Sequence, residues 1–417
     1  MNKLKIGLIG LGTVGCGVYK TIQNIDNVEI VKIAVKNINK PRSVEVPREM
    51  LTDNPYDVVN DPSIDVVVEL IGGVEPAYDY ISTAIKNGKH IVTANKELLA
   101  KRGEELFILS EEYNKVVLYE AAIAGGIPII MPIKTILAGN KINRIQAILN
   151  GTTNYILTKM DVDGASYEDV LKEAQELGYA ETDPTGDVEG FDAAYKITTL
   201  STIAFKKRIK IENVYREGIT KIRKEDMAKA NEFGYKIKLI ATATIDENDN
   251  ADVRVHPMLV SKDSMLAHID YVTNAVAISG HPIGNIVLSG PGAGEFPTAS
   301  SVVGDILAIA AEFGRTDYML PMRCNHTSKA NPVNIDNTYN KYYISITAPN
   351  AIGVIAKIGT ICANKNISLS SILQKGVSDD NTADITVITE SCQEKLIKEV
   401  VNELNDCTVN SIIRVAD

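Results

Sequence analysis

The sequence predicts an α/β protein built from an open parallel sheet, a mixed α+β region and a small independent tail of βαββαβ order. Short apolar runs alternate with helix-compatible segments over residues 4–119, as a parallel sheet buried on both faces requires. The alternation loosens beyond Pro132, and a polar stretch from Arg323 to Lys341 precedes the tail. We therefore expect domains at 1–130, 131–297 and 341–417, with a helix at 298–320 packing back on the first.

The composition excludes several classes of function. A formal charge of −10 over 417 residues argues against nucleic acid or an anionic membrane as the main partner. No apolar run reaches the roughly eighteen residues of a membrane helix, and the chain begins without a signal-peptide pattern. The five cysteines form no CxxC pair, as is typical of reduced thiols. We expect a cytoplasmic protein that acts on a small molecule.

A glycine-rich turn, GLGTVG from Gly10 to Gly15, follows the first predicted strand, Leu4–Ile9, and precedes a helix. Such glycines allow a tight turn and close backbone approach to a pyrophosphate, which the helix N-terminus faces. We interpret this as the dinucleotide-binding turn of a Rossmann-type domain, although glycine-rich turns without a ligand are also common. The residues expected to contact the cofactor here are Gly10, Gly12, Thr13, Val14 and Gly15.

The end of the second predicted strand, Glu29–Val35, bears on which dinucleotide binds. An NAD-specific site usually has Asp or Glu there, hydrogen-bonded to the ribose 2′-hydroxyl. This chain has Lys36, with Lys40 and Arg42 close behind, which favours the 2′-phosphate of NADP. Solvated loop lysines are the alternative, so both NADP and NAD stay open as the cofactor.

Two further segments are candidates for cofactor contact. The strand His90–Thr93 delivers Thr93 and Lys96 to its carboxyl end, where ligands of open α/β sheets bind, before a helix predicted over Gly103–Asn114. A second glycine-rich loop, with Gly292 and Gly294, would let backbone approach the nicotinamide end of the cofactor. A surface lysine and a plain helix-entry turn are the respective alternatives.

The stretch GYAETDPTGDVEGFDAAYK, from Gly178 to Lys196, holds five carboxylates and a lysine, and we call it the acidic loop. Asp192 and Lys196 stand four residues apart at a helix start and therefore share one face. A lysine held by a carboxylate, beside carboxylates able to bind an ammonium group, predicts a proton-transfer site for a small amino acid. A solvated surface loop is the alternative.

Taken together, these motifs resemble homoserine dehydrogenase, and the tail resembles an ACT domain. The matching segments occur in the family's order over residues 4–320: GLGTVG, ELIGG, GKHIVTANK, EAAIAGGIP, NGTTNYI, the acidic loop and GPGAGEFPTAS. The resemblance implies NAD(P)-dependent interconversion of L-homoserine and L-aspartate 4-semialdehyde in threonine and methionine synthesis. It also implies a substrate and dimerisation domain, and hence a homodimer or homotetramer.

Carried over by position, the resemblance implies roles for individual residues. Lys196 would be the acid/base on the substrate oxygen, with Lys96 alongside. The implied substrate contacts are Glu181, Asp192, Thr152, Tyr179 and Asp187. A monovalent cation, sodium or potassium, would be held by Glu120 with the carbonyls of Ile123, Gly125 and Ile127. Neighbouring lysines lower each other's pKa while carboxylates raise it, and the sequence does not decide which effect wins.

The tail departs from the usual ACT pattern at one turn. Its DxPG-like turn reads PNAIG from Pro349 to Gly353, with Asn350 in the usual place of aspartate and no proline before the glycine. Threonine is the expected effector, and a dimerisation module without a ligand is the alternative.

Two other functions compete with this interpretation. An aspartate-semialdehyde dehydrogenase would need a cysteine nucleophile, and no cysteine lies in a credible active-site loop. A non-catalytic amino-acid sensor would leave Lys96 and Lys196 unexplained.

Overall fold

The computed structural model describes residues 3–312, 323–324, 326, 328–377 and 380–416. Its first sheet is parallel, and the first strand of that sheet ends at the glycine turn. The elements of this sheet are β1 Leu4–Ile9, α1 Thr13–Ile22, β2 Val28–Ala34, β3 Leu51–Thr52, α2 Tyr56–Val59, β4 Val66–Glu69, α3 Ala77–Lys86, β5 His90–Thr93, α4 Lys96–Glu112 and β6 Val117–Leu118. The strand order is β3-β2-β1-β4-β5-β6, with every pair parallel. The order reverses between β1 and β4, where a ligand crevice forms in such sheets.

Helix α4 begins at Lys96, so the predicted start at Gly103 is wrong. The side chain of Asn95 caps the helix by accepting a hydrogen bond from Leu98 N at 3.1 Å. Gly103 is buried inside the helix, where an added Cβ would lie 3.3 Å from the Phe107 ring. This glycine is therefore a packing residue rather than a helix terminator, and the early start places Lys96 in the first turn.

The middle region is an antiparallel sheet flanked by helices. Its elements are α5 Ala121–Ala124, α6 Ile130–Lys134, β7 Lys141–Ile148, α7 Gly151–Asp163, α8 Tyr167–Glu176, α9 Thr185–Val188, α10 Phe191–Phe205, β8 Tyr215–Arg216, α11 Lys224–Glu232, β9 Tyr235–Ile245, β10 Asn250–Ser261, β11 Thr273–His281, β12 Gly284–Pro291 and α12 Glu295–Ala311. The long strands follow the order β12-β11-β7-β9-β10. Strands β11 and β12 were not predicted, because glycine, serine and asparagine interrupt their apolar pattern.

Helix α12 returns to the first sheet. Its residues Ala299, Val302 and Ile306 are fully buried in the same core as Leu8 and Val18. Residues 313–320 of the predicted returning helix lie outside the described part of the chain.

The tail has its own core but shares a sheet with the middle region. Its elements are β13 Asn331–Pro332, β14 Tyr339–Pro349, α13 Val354–Asn364, β15 Leu369–Val377, β16 Thr382–Thr389, β17 Cys392–Gln393, α14 Glu394–Glu403 and β18 Thr408–Val415. Strand β18 pairs in parallel with β10, placing Arg414 opposite Met258 and Val415 opposite Leu259. The sequence predicts an independent tail, whereas in the structure this strand pairing joins the tail to the middle region.

Among the helices of the described residues, none has both the length and the apolar character needed to span a bilayer.

Candidate active site

A buried carboxylate joins two lysines where the first sheet meets the middle region. Asp192 and Lys196 lie one turn apart on α10, and Lys196 Nζ is 2.7 Å from Asp192 Oδ2. Lys96, the first residue of α4, pairs with the other carboxylate oxygen, Oδ1. The side chains of Asp192 and Lys196 are 6% and 11% exposed, whereas that of Lys96 is 44% exposed. The predicted pair on α10 and the predicted lysine at the sheet edge are therefore brought together.

Main-chain and amide groups fix this cluster from the end of β7. Lys196 Nζ donates a second hydrogen bond to the carbonyl oxygen of Leu149 at 2.7 Å. Asn150 Nδ2 donates to Asp192 Oδ2 at 3.0 Å and to Asp187 Oδ1 at 2.7 Å. Sequence reasoning did not assign Asn150 to the site. The available signal was its place at the carboxyl end of a strand, directly before a helix.

The two lysines have opposite pKa shifts. Burial lowers the pKa of Lys196, and the positive charge of Lys96 acts in the same direction, against the charge of Asp192. Burial also acts to lower the pKa of Lys96, but the charge and hydrogen bond of Asp192 outweigh it and raise that pKa. Burial acts to raise the pKa of Asp192, and the two lysines overcome it and hold that pKa below its usual range. Asp192 is thus ionised, Lys96 holds its proton, and Lys196 releases its proton more easily.

Two of the remaining predicted substrate residues, Glu181 and Asp187, are near enough for their charges to act on the lysines. Glu181 is exposed, and its charge helps to raise the pKa of Lys96. The hydroxyl of Thr152 donates to the carbonyl oxygen of Tyr179 at 2.6 Å, which ties α7 to the acidic loop. Burial, and then the charge of Asp192, raises the pKa of Asp187. Among Glu181, Asp187 and Asp192, the carboxylate of Glu181 belongs to the residue most open to solvent.

The glycine turn has the geometry that its sequence predicts. Gly10 has φ +102°, and a Cβ on Gly15 would overlap the carbonyl oxygen of Gly10. A Cβ on Gly12 would meet nothing, because this glycine faces open space at the start of α1. No side chain caps this helix, so its first N–H groups are available to an anion. Thr13 and Val14 form its first turn.

A buried carboxylate braces the ends of β4 and β5. Glu69 accepts hydrogen bonds from Thr93 Oγ1 at 2.6 Å, from Ile71 N at 2.8 Å and from Gly72 N at 3.2 Å. Burial raises the pKa of Glu69. Sequence reasoning found the ELIGG motif but gave Glu69 no role. The structure shows that Glu69 shapes the loop at the crevice and orients the predicted cofactor residue Thr93.

The second glycine-rich loop packs against the loop after α5. A Cβ on Gly292 would overlap the side chain of Asn274, and a Cβ on Gly125 would overlap the carbonyl oxygen of Gly292. Gly294 has φ +116° and precedes α12. Close packing of the two loops therefore accounts for Gly125 and Gly292, and contact with the nicotinamide stays a prediction.

The carboxylate of Glu120, a predicted cation ligand, accepts hydrogen bonds from the start of α6, and its role in binding a cation stays a prediction. It accepts three main-chain hydrogen bonds at the start of α6: from Ile129 N and Ile130 N at 2.5 Å and 2.7 Å, and from Met131 N at 2.7 Å. The carbonyl oxygen of Gly125 accepts from Ser301 Oγ at 2.6 Å. The chemistry of the Glu120 side chain is that of a helix cap.

A dinucleotide-binding sheet whose edge meets a lysine–carboxylate cluster defines an NAD(P)-dependent oxidoreductase of a small polar substrate. The family models for the homoserine dehydrogenase NAD-binding domain, homoserine dehydrogenase and the ACT domain match residues 10–120, 128–307 and 342–408. The chain belongs to the homoserine dehydrogenase family, and its activity is that of a homoserine dehydrogenase.

Individual relatives agree over the full length. The homoserine dehydrogenase of a Synechocystis strain is 40% identical, and the alignment covers 99% of each chain. The structure of the Thiobacillus denitrificans homoserine dehydrogenase has a TM-score of 0.92 at 38% identity, covering 100% of this chain and 99% of that one. A hyperthermophilic archaeal homoserine dehydrogenase mutant in complex with NADPH has a TM-score of 0.63 at 27% identity, covering 75% of this chain and 98% of that one.

Proposed function

We propose that Lys196 is the acid/base of the homoserine dehydrogenase reaction and that Lys96 is a permanent ammonium beside it. The observation that carries this proposal is the placement of one buried carboxylate, Asp192, between the two lysines. When bound, the nicotinamide accepts hydride from the alcohol carbon of homoserine or returns it to the aldehyde. A lysine can take the hydroxyl proton only when neutral, and the lowered pKa of Lys196 favours that form.

The proton balance assigns different tasks to the two lysines. In alcohol oxidation the O–H bond breaks and its proton passes to neutral Lys196; in aldehyde reduction the ammonium of Lys196 returns it to the oxygen. Lys96, with its raised pKa, stays positive in both directions and stabilises negative charge on that oxygen. The direct test is absorbance at 340 nm with NADPH and aspartate semialdehyde, which must fall with the native enzyme and change very little with Lys196→Met.

The carboxylates around the lysines are proposed to bind the amino group of the substrate. Glu181 is exposed and therefore free to accept hydrogen bonds from an ammonium group. Asp192 was predicted in the same role, yet its two oxygens already hold the lysines, so we propose that it mainly orients them. Asp187, Thr152 and Tyr179 complete the proposed substrate contacts, and we call these three residues and Glu181 the substrate rim.

We propose that the cofactor preference is for NADP. Lys36 lies exposed just after β2, at the end predicted to face the adenosine ribose. Arg42 is less available, because its guanidinium donates to the carbonyl oxygens of Asn37, Ile38 and Lys40 at 2.6 Å, 3.3 Å and 2.8 Å. The NADPH of the archaeal homoserine dehydrogenase structure supports the same preference.

The substitution Lys36→Asp should raise the Michaelis constant for NADP by about tenfold, as loss of one charged contact does, and lower the constant for NAD. The matched control is Lys86→Asp, which makes the same charge change at the exposed end of α3. Steady-state kinetics with both cofactors measure this. A native enzyme that prefers NAD, or equal effects of the two substitutions, would contradict the proposal.

We propose that the tail binds threonine at the turn from Asn350 to Gly353. An open cavity of about 680 Å³ lies at this turn and reaches Gln374 and Ile385. Gly353 has φ +92° and directly precedes α13, so its conformation suits glycine. The cavity belongs to the family's regulatory domain, which supports a small-molecule ligand.

Isothermal titration of threonine should give saturable heat, and valine should give little, because it has the same shape without the hydroxyl. Asn350→Ala should weaken the binding, since it removes the polar side chain at the turn. An absence of both heat and inhibition with threonine would leave a dimerisation module as the better account.

We propose three further properties from the family resemblance. The enzyme forms a homodimer or homotetramer, it is cytoplasmic, and it reduces aspartate semialdehyde to homoserine in threonine and methionine synthesis. A monovalent cation is proposed at Glu120 and the carbonyls of Ile123, Gly125 and Ile127, although the Glu120 carboxylate also accepts hydrogen bonds from three main-chain N–H groups. We derive no catalytic step through that ion.

A further inference from the structure

A short segment that starts with the last residue of β8, Arg216–Thr220, lies between the acidic loop and the tail, and we call it the clamp segment. It begins as part of a strand, because Arg216 lies opposite Val255 of β10. Glu217 N then donates to the carbonyl oxygen of Val255 at 2.8 Å, and Ile219 N to that of Val188 at 2.8 Å. The clamp segment therefore bonds the central sheet on one side and the end of α9 on the other.

The clamp segment contacts the acidic loop just before α10, the helix that carries Asp192 and Lys196. Arg216 Nη1 donates to the carbonyl oxygen of Glu189, and its guanidinium lies 3.5 Å from the centre of the Phe191 ring. Thr220 Oγ1 donates to Glu189 Oε1 at 3.1 Å. A Cβ on Gly218 would overlap the carbonyl oxygen of Val188, so only glycine allows this close approach. These contacts fix the residues between Asp187 and Asp192.

The other side of the clamp segment is bound by the tail. Arg414, on β18, donates from both Nη1 and Nη2 to Glu217 Oε1 at 3.1 Å. The same guanidinium binds Glu394 at 2.6 Å and 2.9 Å, and Arg414 is only 5% exposed. A buried guanidinium shared by two carboxylates has little freedom to move. Glu217 Oε1 also accepts from the hydroxyl of Tyr215. Glu217 is thus held in part by a tail residue, Arg414, whose own position is set by Glu394 at the start of α14.

We propose that Arg216 and Glu217 are positioning residues for homoserine, and that Arg414 makes the tail part of what positions the substrate. The chain of contacts runs from Arg414 through Glu217 and the clamp segment to Val188 and Glu189, next to the Asp187–Asn150–Asp192 bonds. This inference rests on the proposed substrate role of the acidic loop. A disturbance of the tail reaches the substrate rim by this route without altering the nucleotide-binding turn.

The test compares the change in the Michaelis constant for homoserine with the changes in kcat and in the Michaelis constant for the cofactor. Glu217→Gln should raise the constant for homoserine by about tenfold, as loss of one charged hydrogen bond does, with kcat and the cofactor constant within about twofold. Arg216→Met should also raise the Michaelis constant for homoserine, because it removes the hydrogen bond to the carbonyl oxygen of Glu189. The double variant Glu217→Gln/Arg414→Lys should be no worse than Arg414→Lys alone, because Arg414→Lys already disrupts the contact with Glu217 along with the bonds to Glu394.

The matched control is Lys398→Met, which removes an exposed ion pair with Asp336 in the tail, away from the clamp segment. It should leave all constants unchanged. An unchanged homoserine constant in both Glu217→Gln and Arg216→Met, with or without a lower melting temperature, would overturn the inference. Should Glu217→Gln not fold, Arg216→Met decides alone. An unchanged homoserine constant in Glu181→Gln would instead refute the proposed substrate role of the acidic loop, so the two failures are distinguishable.

Discussion

Exchange of Lys196 for methionine is expected to lower kcat for homoserine oxidation by about 10²- to 10⁴-fold, the usual contribution of general acid–base catalysis. Methionine fills the space of the lysine stem but cannot take the hydroxyl proton. The cofactor dissociation constant should stay nearly the same, because Lys196 bonds Asp192 and the Leu149 carbonyl rather than the glycine turn. Steady-state kinetics and a cofactor titration measure the two effects.

Two further variants separate proton transfer from charge. Lys196→Arg keeps a cation beside Asp192, but a guanidinium does not lose its proton in proteins. This variant should therefore be as inactive as Lys196→Met. Lys101→Met changes a lysine on the same helix as Lys96 that pairs with Glu97, and it should be nearly fully active. Activity of Lys196→Arg within a few-fold of the native enzyme would mean that Lys196 acts only by its charge.

Exchange of Asp192 for asparagine is the second large effect that we expect. The amide has the same shape but cannot neutralise two ammonium groups in a site where the carboxylate is 6% exposed. Breaking one partner of a buried ion pair costs about 3–5 kcal/mol, and part of that cost should appear as a loss in kcat/KM for homoserine of about 10²-fold or more. The pKa of Lys196 should fall further, because the charge that raises it is gone.

The control for Asp192→Asn is Asp183→Asn in the same acidic loop. Asp183 is exposed and accepts hydrogen bonds from Thr185 N and Thr185 Oγ1 at 3.1 Å and 2.6 Å, as a turn residue does. It should leave kcat/KM nearly unchanged. A similarly small effect of Asp192→Asn would contradict the assignment of Asp192 as the group that joins the lysines.

The parts of the site that follow a strict rule could be predicted from the sequence. A strand, a GxGxxG turn and a helix fix the position of Gly10 to Gly15, because glycine alone fits where Gly15 meets the Gly10 carbonyl. The shared helix face of Asp192 and Lys196 follows from their spacing, and the position of Lys96 follows from the end of β5. The α/β fold class was confirmed for the same reason: local patterns specify it.

The rest depends on contacts between segments distant in sequence. Asn150 reaches Asp187 and Asp192 only after β7 meets α10, and the opposite pKa shifts of the two lysines require their different burial. The carboxylate of Glu120 looked free in a loop of small residues, yet the start of α6 folds onto it. The pairing of β18 with β10 joins the tail to the middle region, and no local pattern in either strand shows its partner.

The central claim is that Lys196 transfers the proton because burial and Lys96 lower its pKa. The most direct measurement is the pH dependence of kcat/KM for homoserine oxidation in the native enzyme and in Lys96→Met, with the same substrate. Oxidation needs neutral Lys196, so the rate should rise with pH through the pKa of Lys196, below the value of 10.5 for a free lysine. Removal of the Lys96 charge should move this inflection to higher pH. An inflection that stays in place or moves to lower pH in Lys96→Met would contradict the account.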